Sequence, residues 1–197
     1  MVKLYKNFII NKNHKESIIL IGNFDGVHLG HQRLFKLAKL YKKKYNLKIG
    51  VINFDPMPKM FFNKNLKNFR LSSVTQKVNL LNNLGVDFMV TKKFDKTFSK
   101  TKSINFIKNI LSKKLKARFI FVSNNFRFGN KREGDVKFLA QHQEKYNYQV
   151  IKPKPLLIEK KIVSSSLIRS FLEKGFLEKA NNLLSRKWSI DGMVQKG

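Results

Sequence analysis

IILIGNFDGVHLGHQ, residues 18–32, passes from an apolar run through a glycine-broken loop into a helical pattern. Ile18–Asn23 reads as a short buried strand, because a continuous apolar run of this length bounded by Gly22-Asn23 suits a strand covered on both faces. From His31 to Tyr45 the apolar residues Leu34, Phe35, Leu37, Ala38, Leu40 and Tyr41 recur at helical spacing. Outward from this unit the same alternation repeats. Leu47–Phe54 is a second strand, stopped by the two prolines of Asp55-Pro-Met-Pro58. Ser73-Val-Thr-Gln76 has capping-box spacing and opens a helix to about Leu84, with Gly85 closing it. Val86–Val90 is a third strand, Ser103–Leu115 a helix, Ala117–Val122 a fourth strand, Asp135–Tyr146 a helix and Tyr148–Lys152 a weaker fifth strand. Two helices end the pattern, one opening at Ser164-Ser-Ser166 and one over Phe176–Leu184. Regular strand–helix alternation predicts an α/β fold, a doubly wound parallel sheet with helices on both faces and ligands outside the carboxyl ends of the strands.

The chain has 197 residues, 42% of them hydrophobic and 18 of them Phe, enough for one ordinary domain with a core. No apolar run approaches the ~18–20 residues of a membrane span, and no signal peptide is legible, so a cytoplasmic enzyme without a membrane partner is expected. The absence of cysteine excludes disulfides, thiolate metal sites and a cysteine nucleophile. The net charge of +29 points toward nucleic acid, yet only seven of the 41 basic residues are arginine. Lysines spread evenly among abundant Asn, Ile and Phe are what A/T-rich codons produce, so no specific nucleic-acid partner is expected. A non-catalytic basic RNA-binding module is the rival class, and it lacks an interleaved basic–aromatic strand pattern.

Four segments carry chemistry. His28-Leu-Gly-His31 places two imidazoles three residues apart at a helix start, where unpaired N–H groups and a partial positive charge favour phosphate. Gly22, Gly26 and Gly30 let a phosphate approach the backbone. Ser164-Ser-Ser-Leu-Ile-Arg169 combines hydroxyls, helix N–H groups and a guanidinium that can grip phosphate with two bonds. Asn124-Asn-Phe-Arg-Phe-Gly129 sets aromatics beside amides, which suits a flat heterocycle. Phe54-Asp-Pro-Met-Pro58 is a rigid loop. The scattered carboxylates show no metal-ligand spacing, and no Walker loop or nucleophile elbow is present.

These segments, in this order, resemble the FMN adenylyltransferase domain of bacterial FAD synthetase, the N-terminal half of the bifunctional riboflavin kinase/FMN adenylyltransferase. GNFDGVHLGHQ is similar to its first motif, with the HxGH signature of the nucleotidylyltransferase superfamily; NFDPMP, NNFRFGNKREGD and VSSSLIRSFLEKG are similar to the others. Asn125 and Ser166 stand where Asp and Thr are commoner. The resemblance implies a Rossmann-like fold and the reaction of ATP with FMN to give FAD and pyrophosphate, with Mg²⁺ accompanying ATP. It implies catalytic roles for His28, His31 and Arg169. ATP would meet Gly22, Asn23, Phe24, Asp25, Gly30, Ser165 and Ser166. Phe54, Pro56, Pro58, Asn125, Phe126, Arg127 and Phe128 would form the flavin side. The adenylyltransferase domain would cover residues 1–186. Residues 187–197 (KWSIDGMVQKG) resemble the opening strand of a riboflavin kinase domain, itself separate or missing, so riboflavin phosphorylation is not expected. Another HxGH transferase, acting on nicotinamide mononucleotide, phosphopantetheine or a phospho-alcohol, is the runner-up; NFDPMP and NFRFG favour flavin.

Overall fold

A computed structural model describes residues 1–66 and 70–192. In chain order the elements are β1 (Lys3–Tyr5), β2 (Ile18–Ile21), α1 (Leu29–Tyr45), β3 (Ile49–Asp55), α2 (Pro58–Phe62), α3 (Val74–Asn83), β4 (Phe88–Lys93) and α4 (Lys96–Ser99). They continue with α5 (Ser103–Asn105), which runs into a π-wound segment Phe106–Lys114, then β5 (Phe119–Phe121), β6 (Arg127–Phe128), β7 (Gly134–Asp135) and α6 (Val136–Gln141). The last are β8 (Gln149–Ile151), β9 (Leu157–Ile158), β10 (Lys161–Ile162), α7 (Ser165–Glu173) and α8 (Leu177–Leu184).

The central sheet has the order β1-β4-β3-β2-β5-β8, and every pairing in it is parallel. All four residues of β2 are buried. Alternation along the strands sorts them to two faces. Ile18, Leu20, Phe119 and Phe121 pack with Phe35 and Ala38 of α1 and Leu81 of α3. Ile19, Ile21 and Ile120 pack with Phe106, Ile107, Ile110 and Leu111 on the opposite side. Coverage of both faces is why these strands are apolar throughout rather than alternating. The chain moves one way from β2 to β3 and β4, then returns to place β5 on the other side of β2. That reversal is where doubly wound sheets open a ligand crevice.

The doubly wound parallel sheet is therefore as expected, with local differences, among them the unforeseen helices α2 and α4 and the antiparallel pairs β6–β7 and β9–β10. Lys3–Tyr5 adds an unforeseen edge strand, too short for any periodicity to mark it. The helix after Ser103 winds with wide turns: Leu115 N–H donates to Ile110 C=O, five residues back, at 3.0 Å. Apolar residues at 106, 107, 110, 111 and 115 all face the core under this winding, and their spacing fits a π turn as well as an α turn. The helix expected to reach Tyr146 ends at Gln141, where His142 (φ −101, ψ 4) leaves helical geometry. Residues 187–192 form no strand and are held through side-chain bonds to Leu71, Gln76 and Asn181 instead; Met193–Gly197, the rest of that expected strand, lie outside the described residues.

Gly50 in β3 shows how tightly the core is filled. A Cβ there would stand 2.1 Å from the ring of fully buried Phe88, its register partner in β4. Gly50→Ala should destabilise the fold by about 1–3 kcal/mol or more, since the ring has no room to turn aside. A lower urea midpoint with an unchanged m-value would check this.

Candidate nucleotide site

The loop after β2 is wound tightly. Phe24 (φ 47) and Val27 (φ 41) adopt left-handed backbone on either side of Gly26 (φ 77). Such conformations cost about 1–3 kcal/mol each in non-glycine residues, and burial of both side chains holds them in place. The Phe24 ring rests on Phe35 (centroids 5.1 Å apart) and meets His31 edge-on (5.1 Å). The glycines serve this packing. A Cβ on Gly22 would press on the Phe24 ring at 3.3 Å, and one on Gly30 would meet the His28 ring and the Val163 carbonyl, each at 3.2 Å. The position a Cβ would occupy at these two glycines is thus taken by the protein's own rings and carbonyl.

His28 and His31 stack face to face, with ring centroids 3.6 Å apart and planes 21° from parallel. Burial pushes the His28 pKa down to about 4, helped by the charges of Arg169 and Arg186. Burial also holds His31 well below the usual imidazole value, with His28 and Lys77 adding to the effect. Both rings are neutral at neutral pH. Their Nδ1 atoms and Asn23 Oδ1 are buried with no hydrogen-bond partner among the described residues. Buried polar atoms left so are uncommon, and three together at a strand's carboxyl end make this a candidate ligand site.

The second helix start lies beside the first. Ser164 Oγ caps α7 by accepting from Leu167 N–H at 3.2 Å. Ser165 Oγ donates to the Asp25 carbonyl (2.9 Å), and the Arg169 guanidinium donates to Asp25 Oδ2 (2.7 Å). The Asp25 carboxylate, 4% exposed, also accepts from Leu71 N–H at 2.9 and 3.1 Å. Asp25 thereby fastens α7 to the loop after β2. A cleft of roughly 250 Å³ opens between them, lined by Asn23, Phe24, Asp25, His31, Met57, Lys59, Ser165, Ser166 and Arg169. His31 and Arg169 face one space, as a shared triphosphate requires.

His28 sits behind His31 in the stack and is not among the lining residues. Met57 and Lys59 do line the cleft, though reading the sequence singled out neither. Met57 lay inside the NFDPMP motif, a signal that could have found it; Lys59 is one lysine among many. Lys77, buried in α3, was also missed; burial lowers its pKa, and its charge helps keep His31 neutral.

None of the residues expected on the flavin side lines this cleft, although Pro56 and Pro58 flank Met57, which does. Phe54 packs with Phe94 and Phe98, Pro56 follows a cis peptide bond, and Pro58 is the first residue of α2. Asn125 is exposed and accepts from Ser123 Oγ (2.9 Å), and Arg127 pairs with Asp135 (3.2 Å). Phe126 stacks on Phe128 at 5.3 Å, and Phe128 packs on Phe106, which touches Phe98. An aromatic wall thus connects the loops after β3 and β5, on either side of β2.

The FAD synthetase family profile matches residues 10–167. The chain belongs to the FAD synthetase family. It is 40% identical over 95% of its length to a bifunctional riboflavin kinase/FMN adenylyltransferase of Buchnera aphidicola (subsp. Schizaphis graminum), covering 61% of that protein. The corresponding Escherichia coli K12 protein is 33% identical over 91% of the chain and 58% of its own length. A Listeria monocytogenes FAD synthetase is 31% identical, with 95% of this chain and 76% of that one covered. The chain therefore spans about 60% of the bifunctional relatives' length. A Streptococcus pneumoniae crystal structure described as a macrolide-efflux protein superposes with a TM-score of 0.81 at 25% identity, covering 94% of this chain and 60% of that one. A Francisella tularensis pantoate–β-alanine ligase shares the fold alone, at TM-score 0.55 and 15% identity. Among the described residues no helix is long and apolar enough to cross a membrane.

The two buried imidazoles give FAD synthetase family member and fold alike a pH signature. An imidazole whose folded-state pKa lies below its unfolded value binds fewer protons folded than unfolded, so stability is full above pH 6.5 and falls toward pH 4. For His28 this amounts to about 3 kcal/mol. Urea midpoints should drop across that window, and His28→Gln should flatten the drop.

Proposed function

We propose that this chain transfers the adenylyl group of ATP to FMN, giving FAD and pyrophosphate. The observation that carries this reading is the convergence of His31, Ser165, Ser166 and Arg169 on one cleft, within a chain of the FAD synthetase family. The FMN phosphate is already an anion and needs no base. One of its oxygens attacks the α-phosphorus of ATP in line; the new P–O bond forms as the bond to the β-phosphate breaks and pyrophosphate leaves. Catalysis then comes from alignment and from neutralising charge as it builds. His31, backed by stacked His28, offers a neutral N–H to the reacting phosphates, and Asn23 and Phe24 border the nucleotide. Arg169, Ser165 and Ser166 hold the β- and γ-phosphates and receive the departing charge. Lys59 lies on the same rim. The flat isoalloxazine ring rests against the aromatic wall carrying Phe54, Phe126 and Phe128.

Magnesium would accompany ATP and supply neutralisation of charge on the phosphates. Among the described residues no group of three or more His, Asp and Glu side chains stands ready to hold a metal. Asp25, the carboxylate in the cleft, is committed to Leu71 and Arg169.

Incubation with ATP, Mg²⁺ and FMN should yield FAD, resolved from FMN by chromatography. Faster adenylylation of nicotinamide mononucleotide or phosphopantetheine than of FMN would overturn the flavin assignment.

A further inference from the structure

Residues 187–192, expected to begin a strand, instead lie as a strap across the segment that holds Asp25. The Trp188 backbone N–H donates to Asn181 Oδ1 (2.7 Å), and its indole Nε1–H donates to the Leu71 carbonyl (3.1 Å). Gln76 Nε2 donates to the Ser189 carbonyl (3.2 Å), Ser189 Oγ (3.2 Å) and Asp191 Oδ1 (2.8 Å), and Ser73 Oγ donates to Asp191 Oδ2 (3.1 Å). Ser73 and Gln76 are the capping box of α3, so the strap is tied to a rigid helix start. Residue Leu71 faces both ways: its carbonyl takes the indole bond, and its N–H holds both oxygens of the Asp25 carboxylate. The next residue, Ser72, accepts from Gly26 N–H through Oγ at 3.2 Å.

We propose that Trp188 is a positioning residue for ATP, acting through Leu71 and Asp25 on Arg169. The proposal rests on the reading that ATP occupies the Asn23–Arg169 cleft. The chain of contacts is continuous. The indole N–H fixes the Leu71 carbonyl, the N–H of the same residue, one peptide group earlier, fixes the Asp25 carboxylate, and the carboxylate sets the Arg169 guanidinium at 2.7 Å. Trp188 does not line the cleft, so any effect it has on ATP travels through this path. It is only half-buried, packed beside the Leu71–Ile168–Leu184 cluster, so loss of its N–H leaves that apolar contact to a phenyl ring. The path predicts an ATP effect without an FMN effect, because the aromatic wall and the loop after β5 lie elsewhere.

Trp188→Phe keeps a ring and removes the donor. Binding of Mg·ATP without FMN, measured by calorimetry, should weaken about three- to tenfold, the loss expected for one neutral hydrogen bond. FMN affinity should stay within about twofold of native. In an Asp25→Asn background, where the path is already broken, Trp188→Phe should add no further loss. A change below about twofold for ATP, an equal change for FMN, or full additivity with Asp25→Asn would overturn the proposal. Trp188 is the only tryptophan of the chain, so the native protein offers a second test that needs no variant. Mg·ATP titration should change the indole emission saturably, with the calorimetric Kd; unchanged emission at saturating Mg·ATP would count against the path. Native protein that binds Mg·ATP at this cleft but forms no FAD from FMN would fail the functional reading while leaving this test intact.

Discussion

His31→Ala should lower turnover by about 10²–10³, the usual cost of removing one preorganised donor from charge that grows in a transition state, or about 3–4 kcal/mol. The ring lies in the cleft with its Nδ1 buried and without a partner among the described residues, and a neutral imidazole carries one N–H to offer to phosphate. Burial keeps it neutral at neutral pH, so it acts by a directed hydrogen bond and not by a full charge. FMN affinity should barely change, because the aromatic wall proposed for the flavin is built from other residues. His28→Ala should approach the same loss by a different route. The stacked His28 ring, 3.6 Å away, is what holds His31 in place. The double variant should therefore fall well short of the product of the two single losses. Single-turnover rates and flavin fluorescence titrations would separate the two quantities. A loss shared equally between turnover and FMN binding would contradict these roles.

Asp25→Ala should be the most damaging substitution for the fold outside the core. Its carboxylate is 4% exposed, its Arg169 partner 15% exposed, and the pair joins positions 144 residues apart. Removing one member of a buried ion pair leaves the other charge uncompensated, at about 3–5 kcal/mol. Leu71 N–H loses its acceptor at the same time. Against a typical total of about 5–15 kcal/mol, the loss should lower the thermal midpoint by many degrees. Arg169→Lys separates the two jobs of that pair. The charge opposite Asp25 remains, so stability should hold far better than in Asp25→Ala. The planar fork is lost, so the KM for ATP should rise. Equal thermal midpoints for native protein and Asp25→Ala would show that the pair does not fasten α7 to the loop.

Much of this was legible in the sequence because it is encoded locally. The apolar run Ile18–Ile21, the Ser73–Gln76 capping box and the Ser164 cap each write their structure within a few residues, and alternation of such units dictates parallel strands covered on both faces. The two phosphate-suited helix starts follow from the same local chemistry, but α7 follows the separate β9–β10 pair, and it is the bonds of Ser165 and Arg169 to Asp25 that bring its start beside that of α1. What only the tertiary structure decided is how side chains from distant segments meet. Lys59 and Lys77 look like any other lysine in the chain; one lines the cleft and one is buried behind it because of where α2 and α3 pack. Asp25 reads as a nucleotide-side carboxylate until Leu71 and Arg169 are seen to claim it. Trp188 reads as part of a strand until its indole is found on Leu71. Hydrogen bonds within a helical turn follow from spacing along the chain, whereas burial and pairing across a hundred residues follow from the packed fold alone.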